Sequence, residues 1–451
     1  MPGLRTGIKN YIMVKRGNFL SMPGRRSLAL FFTVWLSLFF LAGYSSGSTV
    51  QFSLTHNATS NIFQSYQPLS DHLTTASLYF GGDSESIALY GDFNLSYLYK
   101  YSGLSSLAGK LGADYMVPAG ARSAFYFALE GEAVLFRSLY EYFNHGTVRF
   151  LANFKSYLDS STILRLDTIT QLRDYKYSIF DYLSENASLS LDHYFSSRTT
   201  VKLEAGYGYK LYFHPGIIST SEEAETTAAV AAISPASGLK TLRHSGPSLL
   251  PLAALQGGPG GHGGPGQNYE MGGSYSIRGI PYQTIYFIGK RSLQVFSVSG
   301  LLAQGLGDRL GLSLSALKQW NLKGENPFAS SDELFMVENP TYDQFSWEGY
   351  SLRAKLTALL SDNLNSELQY DYFSRKFPGL DSLDLEGNSL GITREDSRHQ
   401  FSARLQLDLS RVSFFINYAY IKNSSTDPWF SWSGNIISGG LTWNLQVSPS
   451  R

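Results

Sequence analysis

Charged side chains recur at every second position in several stretches of this chain, and that spacing is the first clue to its chemistry. Between Phe401 and Leu409, Arg404 and Asp408 share one parity with Ser402 and Gln406, while Phe401, Ala403, Leu405, Leu407 and Leu409 take the other. Successive side chains of an extended strand point to opposite faces. One face is therefore apolar, and the other carries full charges that belong in water. The same parity rule selects Lys110, Asp114, Glu130, Arg149, Lys155, Arg165 and Asp167 in the first half of the chain. Further on it selects Lys202, Glu204, Arg353, Lys355, Glu367 and Asp371. Charges so arranged can line a hydrated passage and steer solutes, or they can tie a wall together as ion pairs with no throughput. Their mixed signs argue against strong selectivity for anions or cations.

The remaining chemistry-bearing groups form no catalytic constellation. His214, His244 and His262 share a region, but their spacing matches no metal-ligand motif. Asp381, Asp384, Glu386 and Asn388 make an oxygen-rich loop, DSLDLEGN, without the alternating acidic residues, glycine and distal Glu of an EF-hand. Residues 103–110 (GLSSLAGK) have one residue too many for a phosphate loop, and no Ser or Thr follows Lys110. Neither G-x-S-x-G nor H-E-x-x-H occurs. The absence of Cys excludes disulfides, thiolate metal sites, a Cys nucleophile and a lipidated N-terminal Cys. Lys plus Arg (36) equal Asp plus Glu (36), so no basic excess invites nucleic acid. The expectation is a protein that is not an enzyme and holds neither cofactor nor metal.

The elements that must position the charges are strands of about ten residues. Apolar alternation marks about sixteen of them, from Val50, Phe52 and Leu54 to Ile437, Leu441, Trp443 and Leu445. Short links, such as 118–122, 159–161, 196–198, 305–308 and 410–411, alternate with long ones at 57–70, 137–146, 173–185, 213–290, 321–343, 374–396 and 422–434. The 100–105 link is short for its class. Tyr pairs at Tyr97/Tyr99, Tyr207/Tyr209, Tyr370/Tyr372 and Tyr418/Tyr420 sit on the apolar parity. All four fall at the same end of the scheme, as an aromatic interface belt requires. The loop aromatics Tyr140, Tyr142, Phe143, Trp429, Phe430 and Trp432 are expected in that belt as well.

The N-terminus reads as an export signal. Residues 22–26 (MPGRR) are basic, residues 28–41 form an apolar run too short to span a bilayer as a helix, and small residues follow at 42–48. Residues 1–47 are thus expected to be an N-terminal extension plus signal, with Met13 and Met22 as alternative starts, and 48–451 the mature domain. No later apolar run is long enough for a membrane helix. The segment 214–268 stands apart, with Glu222, Glu223 and Glu225, an Ala-rich run at 228–232 and the Gly/Pro tract GGPGGHGGPG at 257–266. It reads as a surface loop, or as one that folds inward and narrows the lumen.

Strand pattern, export signal and an aromatic final strand with Trp443 together resemble the general class of bacterial outer-membrane β-barrel proteins, over about 49–447. The usual terminal Phe of that class is missing. The fold expected is all-β: a closed antiparallel transmembrane β-barrel of about sixteen strands (fourteen to eighteen), with short periplasmic turns and long extracellular loops. Both termini would be periplasmic and segment 213–290 at the cell surface. The stretch 269–290 is the place for an extra strand pair. The expected partners are outer-membrane lipid, the barrel-assembly machinery during biogenesis and small polar solutes; the sequence sets no oligomeric state. A barrel of this size encloses an aqueous channel, so a porin-like channel leads. The alternatives are a non-conducting barrel for surface binding, adhesion or partner export, and an outer-membrane hydrolase.

Overall fold

The computed structural model describes residues 48–83, 87–137, 144–176, 181–213, 217–218, 285–286, 291–325, 344–385 and 388–447. The expected signal region lies outside them, as do His214, His244, His262 and segment 219–284. Nine strands come first: β1 (Ser48–Thr59), β2 (Asp71–Asp83), β3 (Ile87–Leu98), β4 (Ser106–Pro118), β5 (Ser123–Phe136), β6 (His145–Tyr157), β7 (Thr162–Tyr175), β8 (Tyr182–Tyr194) and β9 (Thr199–Tyr212). Two short ones follow, β10 (Ile217–Ile218) and β11 (Ile285–Tyr286). The rest are β12 (Arg291–Leu306), β13 (Leu310–Lys323), β14 (Glu348–Ser361), β15 (Leu364–Leu383), β16 (Ser389–Leu409), β17 (Val412–Ser425) and β18 (Trp432–Val447).

Sixteen of these strands close into one antiparallel barrel, each paired with its neighbours in the chain, with β9 meeting β12 and β18 returning to β1. The seam is complete: Phe52 stands opposite Trp443 and Leu54 opposite Leu441. Closure leaves no strand edge with unpaired backbone groups, the condition for a sheet to cross hydrocarbon. The exterior supplies the other half of that condition. Leu95, Leu129, Leu203, Leu352, Leu405 and Ile416 are exposed leucines and an isoleucine on the outward parity of their strands. An outward surface of this kind is stable in lipid, not in water. The architecture is that of an outer-membrane β-barrel.

One barrel end has short turns, at 119–122, 158–161, 195–198, 307–309, 362–363 and 410–411. Arg198 adopts φ 63°, and its Nη1 donates to Gly307 O (2.7 Å) and Asp308 Oδ1 (2.6 Å), pinning two adjacent turns to each other. The other end carries the long connections.

Of the 269–290 stretch, expected to hold an extra strand pair, only Ile285 and Tyr286 are described; they form β11, which pairs with β10 apart from the barrel ladder. Two expectations are corrected. The link 374–396 is not a loop. β15 and β16 run on as a hairpin, with Lys376 opposite Glu395 and Asp381 opposite Thr393 across register shifts. There the strands have left the lipid band, and Phe377, Leu380, Arg394 and Asp396 are all buried, so no apolar/polar alternation marks them. Last, Trp429, Phe430 and Trp432 do not join an interface belt. A 3-10 turn (Pro428–Phe430), capped by Asp427, turns Trp429 and Phe430 inside, and all three aromatics are buried. Tyr140, Tyr142 and Phe143 lie outside the described residues.

Candidate functional site

The charges picked out by parity sit opposite the exposed leucines of their own strands, and cross-strand pairing assembles most of them into short networks. On β3 to β7 the hub is Glu130. Its Oε1 accepts from Tyr90 Oη (2.8 Å) and Lys110 Nζ (3.3 Å), and its Oε2 from Arg149 Nη1 (2.8 Å). Arg149 Nε donates to Gln171 Oε1 (3.2 Å), and Gln171 Nε2 to Tyr182 Oη (2.8 Å). Tyr90 reaches Glu130 because its ring lies flat over Gly112, where an added Cβ would stand 2.2 Å from Tyr90 Cζ. Asp114 hydrogen-bonds Tyr126 on the next strand.

Arg165 Nη2 pairs with Asp192 Oδ2 at 2.7 Å, and Asp167 accepts from Asn153 Nδ2. Lys155 stands in register with Arg165, so two like charges face each other; its Nζ lies 4.7 Å from the centroid of the Tyr157 ring. Lys202 meets Glu204 at 2.6 Å. Across β14 and β15, Lys355 meets Glu367 at 2.5 Å, and Arg353 Nε meets Asp371 Oδ1 at 2.5 Å. Arg404 and Asp408 do not touch; Gln406 links them, accepting from Arg404 Nη2 and donating to Asp408 Oδ1, both at 2.8 Å.

Parity alone also marks Asp192, Tyr90, Gln171 and Gln369, which sequence reasoning passed over. Asp192 follows Leu189 and Leu191, both exposed, at the inward parity.

The wall changes character along the barrel. Arg149, Lys202, Glu204, Lys355 and Glu367 keep 25%, 31%, 31%, 30% and 27% of their side-chain surface exposed. At the long-loop end, Arg173 and Arg398 keep 2% and Lys210 none. These buried cations rest on aromatic faces: Lys210 Nζ lies 4.0 Å from the Tyr182 ring centroid, and Arg398 Cζ 5.0 Å from that of Phe373.

Two segments pack at that end. Segment 60–70 turns into the barrel, with Ile62 N donating to Leu69 O (2.7 Å), Asn61 Nδ2 to Ser65 O (2.8 Å) and Tyr66 N to Trp429 O (3.1 Å). Segment 344–347 does the same. Gln319 Nε2 donates to both Gln344 O and Trp347 O at 2.7 Å, Gln344 Nε2 reaches Asn186 Oδ1 on β8 at 3.0 Å, and Phe345 packs over Gly208. Ile62, Phe63 and Phe345 join Leu98, Phe136, Tyr182, Tyr212 and Trp432 in one buried apolar cluster across the mouth. Segment 214–268, read as a surface loop or as one that folds inward and narrows the lumen, lies outside the described residues except for 217–218.

Two carboxylates beyond the strands have displaced acidities. Burial pushes Asp181, beside the mouth, up to about 7, against the opposing pull of the Tyr175 N–H (2.7 Å). In the turn after β6, the Ser161 N–H and hydroxyl and the Thr162 hydroxyl hold Asp159 down to about 2. Of the oxygen-rich loop, Asp381 belongs to β15 and Glu386 lies outside the described residues, while both oxygens of Asp384 accept from Asn388 in the hairpin turn. Among the described residues, no three or more His, Asp or Glu gather as a metal centre.

No family model matches the chain, and no curated protein matches it. Solved structures do. OccAB1 of Acinetobacter baumannii is 9% identical, covers 89% of this chain and 96% of its own, and superposes with a TM-score of 0.41. Pseudomonas aeruginosa OprD gives 8%, 90%, 98% and 0.41. A bacterial polysaccharide outer membrane secretin gives 7%, 88%, 98% and 0.43. Likeness at this level carries no argument, and the fold stands on the closed strand ladder itself.

Proposed function

We propose that the barrel is a porin-like channel that passes small polar solutes through a water-filled lumen. One observation carries this reading: charges on the inner wall at Arg149, Lys202, Glu204, Lys355 and Glu367 keep a quarter to a third of their surface open, although a closed sheet surrounds them. A dry, filled interior would bury them, at a desolvation cost of several kcal/mol per ion. Pore-lining roles fall to the fifteen inward charges from Lys110 to Asp408 named by parity. Their mixed signs and internal pairing favour weak ion selectivity.

In this reading the chain is exported by a signal within 1–47, and 48–451 forms the outer-membrane domain. The short turns and both termini face the periplasm, and the mouth formed by 60–70 and 344–347 opens at the cell surface. That mouth, packed with aromatic side chains, supports the second reading of a barrel that binds a partner and conducts nothing.

Single-channel recording in planar bilayers separates the two. The full chain should conduct, and replacing 61–68 by a short Gly/Ser link should raise conductance by removing Ile62 and Phe63 from the mouth. Silence from both proteins, each correctly folded, would discard the channel and leave the binding barrel.

A further inference from the structure

On β1 to β3 the outward face departs from its apolar pattern near the long-loop end. Phe52 and Leu54 give way to His56, and Leu78 and Ala76 to Thr74 and His72. Register sets His56 opposite Thr74 and diagonal to His72. Nε2 of His56 lies 3.3 Å from Nδ1 of His72, and Nδ1 of His56 lies 2.9 Å from Thr74 Oγ1, which is 3.1 Å from Tyr99 Oη. The imidazoles stack with centroids 5.4 Å apart, and Tyr99 presents its edge to both. Both histidines are exposed on the outside of the barrel, away from the lumen.

We propose that His56 and His72 form a binding site for one late-transition divalent cation, of the class of Cu²⁺, Ni²⁺ and Zn²⁺. The ligands are Nε2 of His56 and Nδ1 of His72, with water completing the shell. Two nitrogens bound about 2.0–2.1 Å from one ion stand about 3.3 Å apart at a tetrahedral angle, the separation found here, and about 2.9 Å apart at the right angle of tetragonal Cu²⁺, a small approach of the two exposed rings. In the metal-free pair a single proton bridges these nitrogens, because neutral imidazole offers one donor and one acceptor. A cation takes its place once that proton has moved to the far nitrogen of its own ring, so both imidazoles stay neutral and each turns a lone pair to the metal. His56 then holds its remaining proton on Nδ1 and donates to Thr74 Oγ1, whose hydroxyl donates to Tyr99. That chain fixes the ring and its tautomer, as partners behind metal-bound histidines do. Imidazole donors favour Cu²⁺ among these ions.

The test is Cu²⁺ titration of the folded full chain in detergent, read by electron paramagnetic resonance. The expected spectrum shows one ion bound by two imidazole nitrogens. It should vanish in His56→Gln/His72→Gln, which keeps the other six of the chain's eight histidines. Thr74→Val should keep two nitrogens and bind about tenfold more weakly. If the double variant does not fold, each single variant must show the loss of one nitrogen instead. A full chain without a two-nitrogen spectrum, or a spectrum unchanged in the variants, overturns the proposal.

Discussion

Glu130→Gln should weaken the barrel and shift its ion preference together. The carboxylate takes Lys110, Arg149 and Tyr90 at 3.3, 2.8 and 2.8 Å, and its side chain is 11% exposed. Hydrogen bonds to charged groups contribute about 1.5–3 kcal/mol each, and stranding a charge in a fully buried pair costs about 3–5 kcal/mol. Lys110 and Arg149 keep 16% and 25% of their surface, so water takes over part of the lost interaction. Gln can also still accept from Tyr90. The expected loss is therefore about 1–3 kcal/mol, below the buried-pair figure. Glu130→Leu should cost more, because Tyr90 then loses its acceptor too. Urea unfolding from lipid vesicles, followed by tryptophan fluorescence, measures the loss. In bilayers under a salt gradient, the same variant should move the reversal potential toward anions, since two cations remain and one anion is gone. A stability within 0.5 kcal/mol of the parent, about the range of neutral surface changes, together with an unmoved reversal potential, would refute the Glu130 hub.

Leu405→Arg places a charge in lipid and should cost about 2–4 kcal/mol near the midplane; Arg404→Leu, one residue earlier, should cost clearly less. Equal losses in the urea assay would mean a dry interior. Gly112→Ala sets a methyl group 2.2 Å from Tyr90 Cζ, so the ring must leave and its hydroxyl must release Glu130. A crystal structure of that variant with the Tyr90–Glu130 bond intact would disprove the packing argument. Asp181 holds its proton more tightly folded, near pH 7, than at its ordinary value of 3.8. The folded state therefore binds more protons between those values, and stability should fall as pH rises from about 4 to about 7. Asp181→Asn should flatten that slope in urea midpoints measured across the window; an identical slope in both proteins would exclude Asp181 as its source.

Local sequence settled the strands. A lipid-facing strand must alternate, so Leu405 against Arg404 or Leu203 against Lys202 declares both the element and the direction of each side chain. Sixteen strands, the inward parity of the charges and the outward Tyr pairs follow from that rule alone. The rule says nothing about which strand residue meets which, because register and closure belong to the assembled sheet. Arg165 with Asp192, Lys110 and Arg149 on one Glu130, and the His56–His72 contact are products of register. The rule also fails where lipid no longer imposes it. The β15–β16 hairpin past Lys376 and the buried turn at Trp429 have no single greasy face, so their sequences look like polar loops. Nothing local distinguishes Ile62, Phe63 and Phe345 from ordinary loop hydrophobes; they pack at the mouth because only the folded barrel brings Leu98, Phe136, Tyr182 and Tyr212 together to receive them.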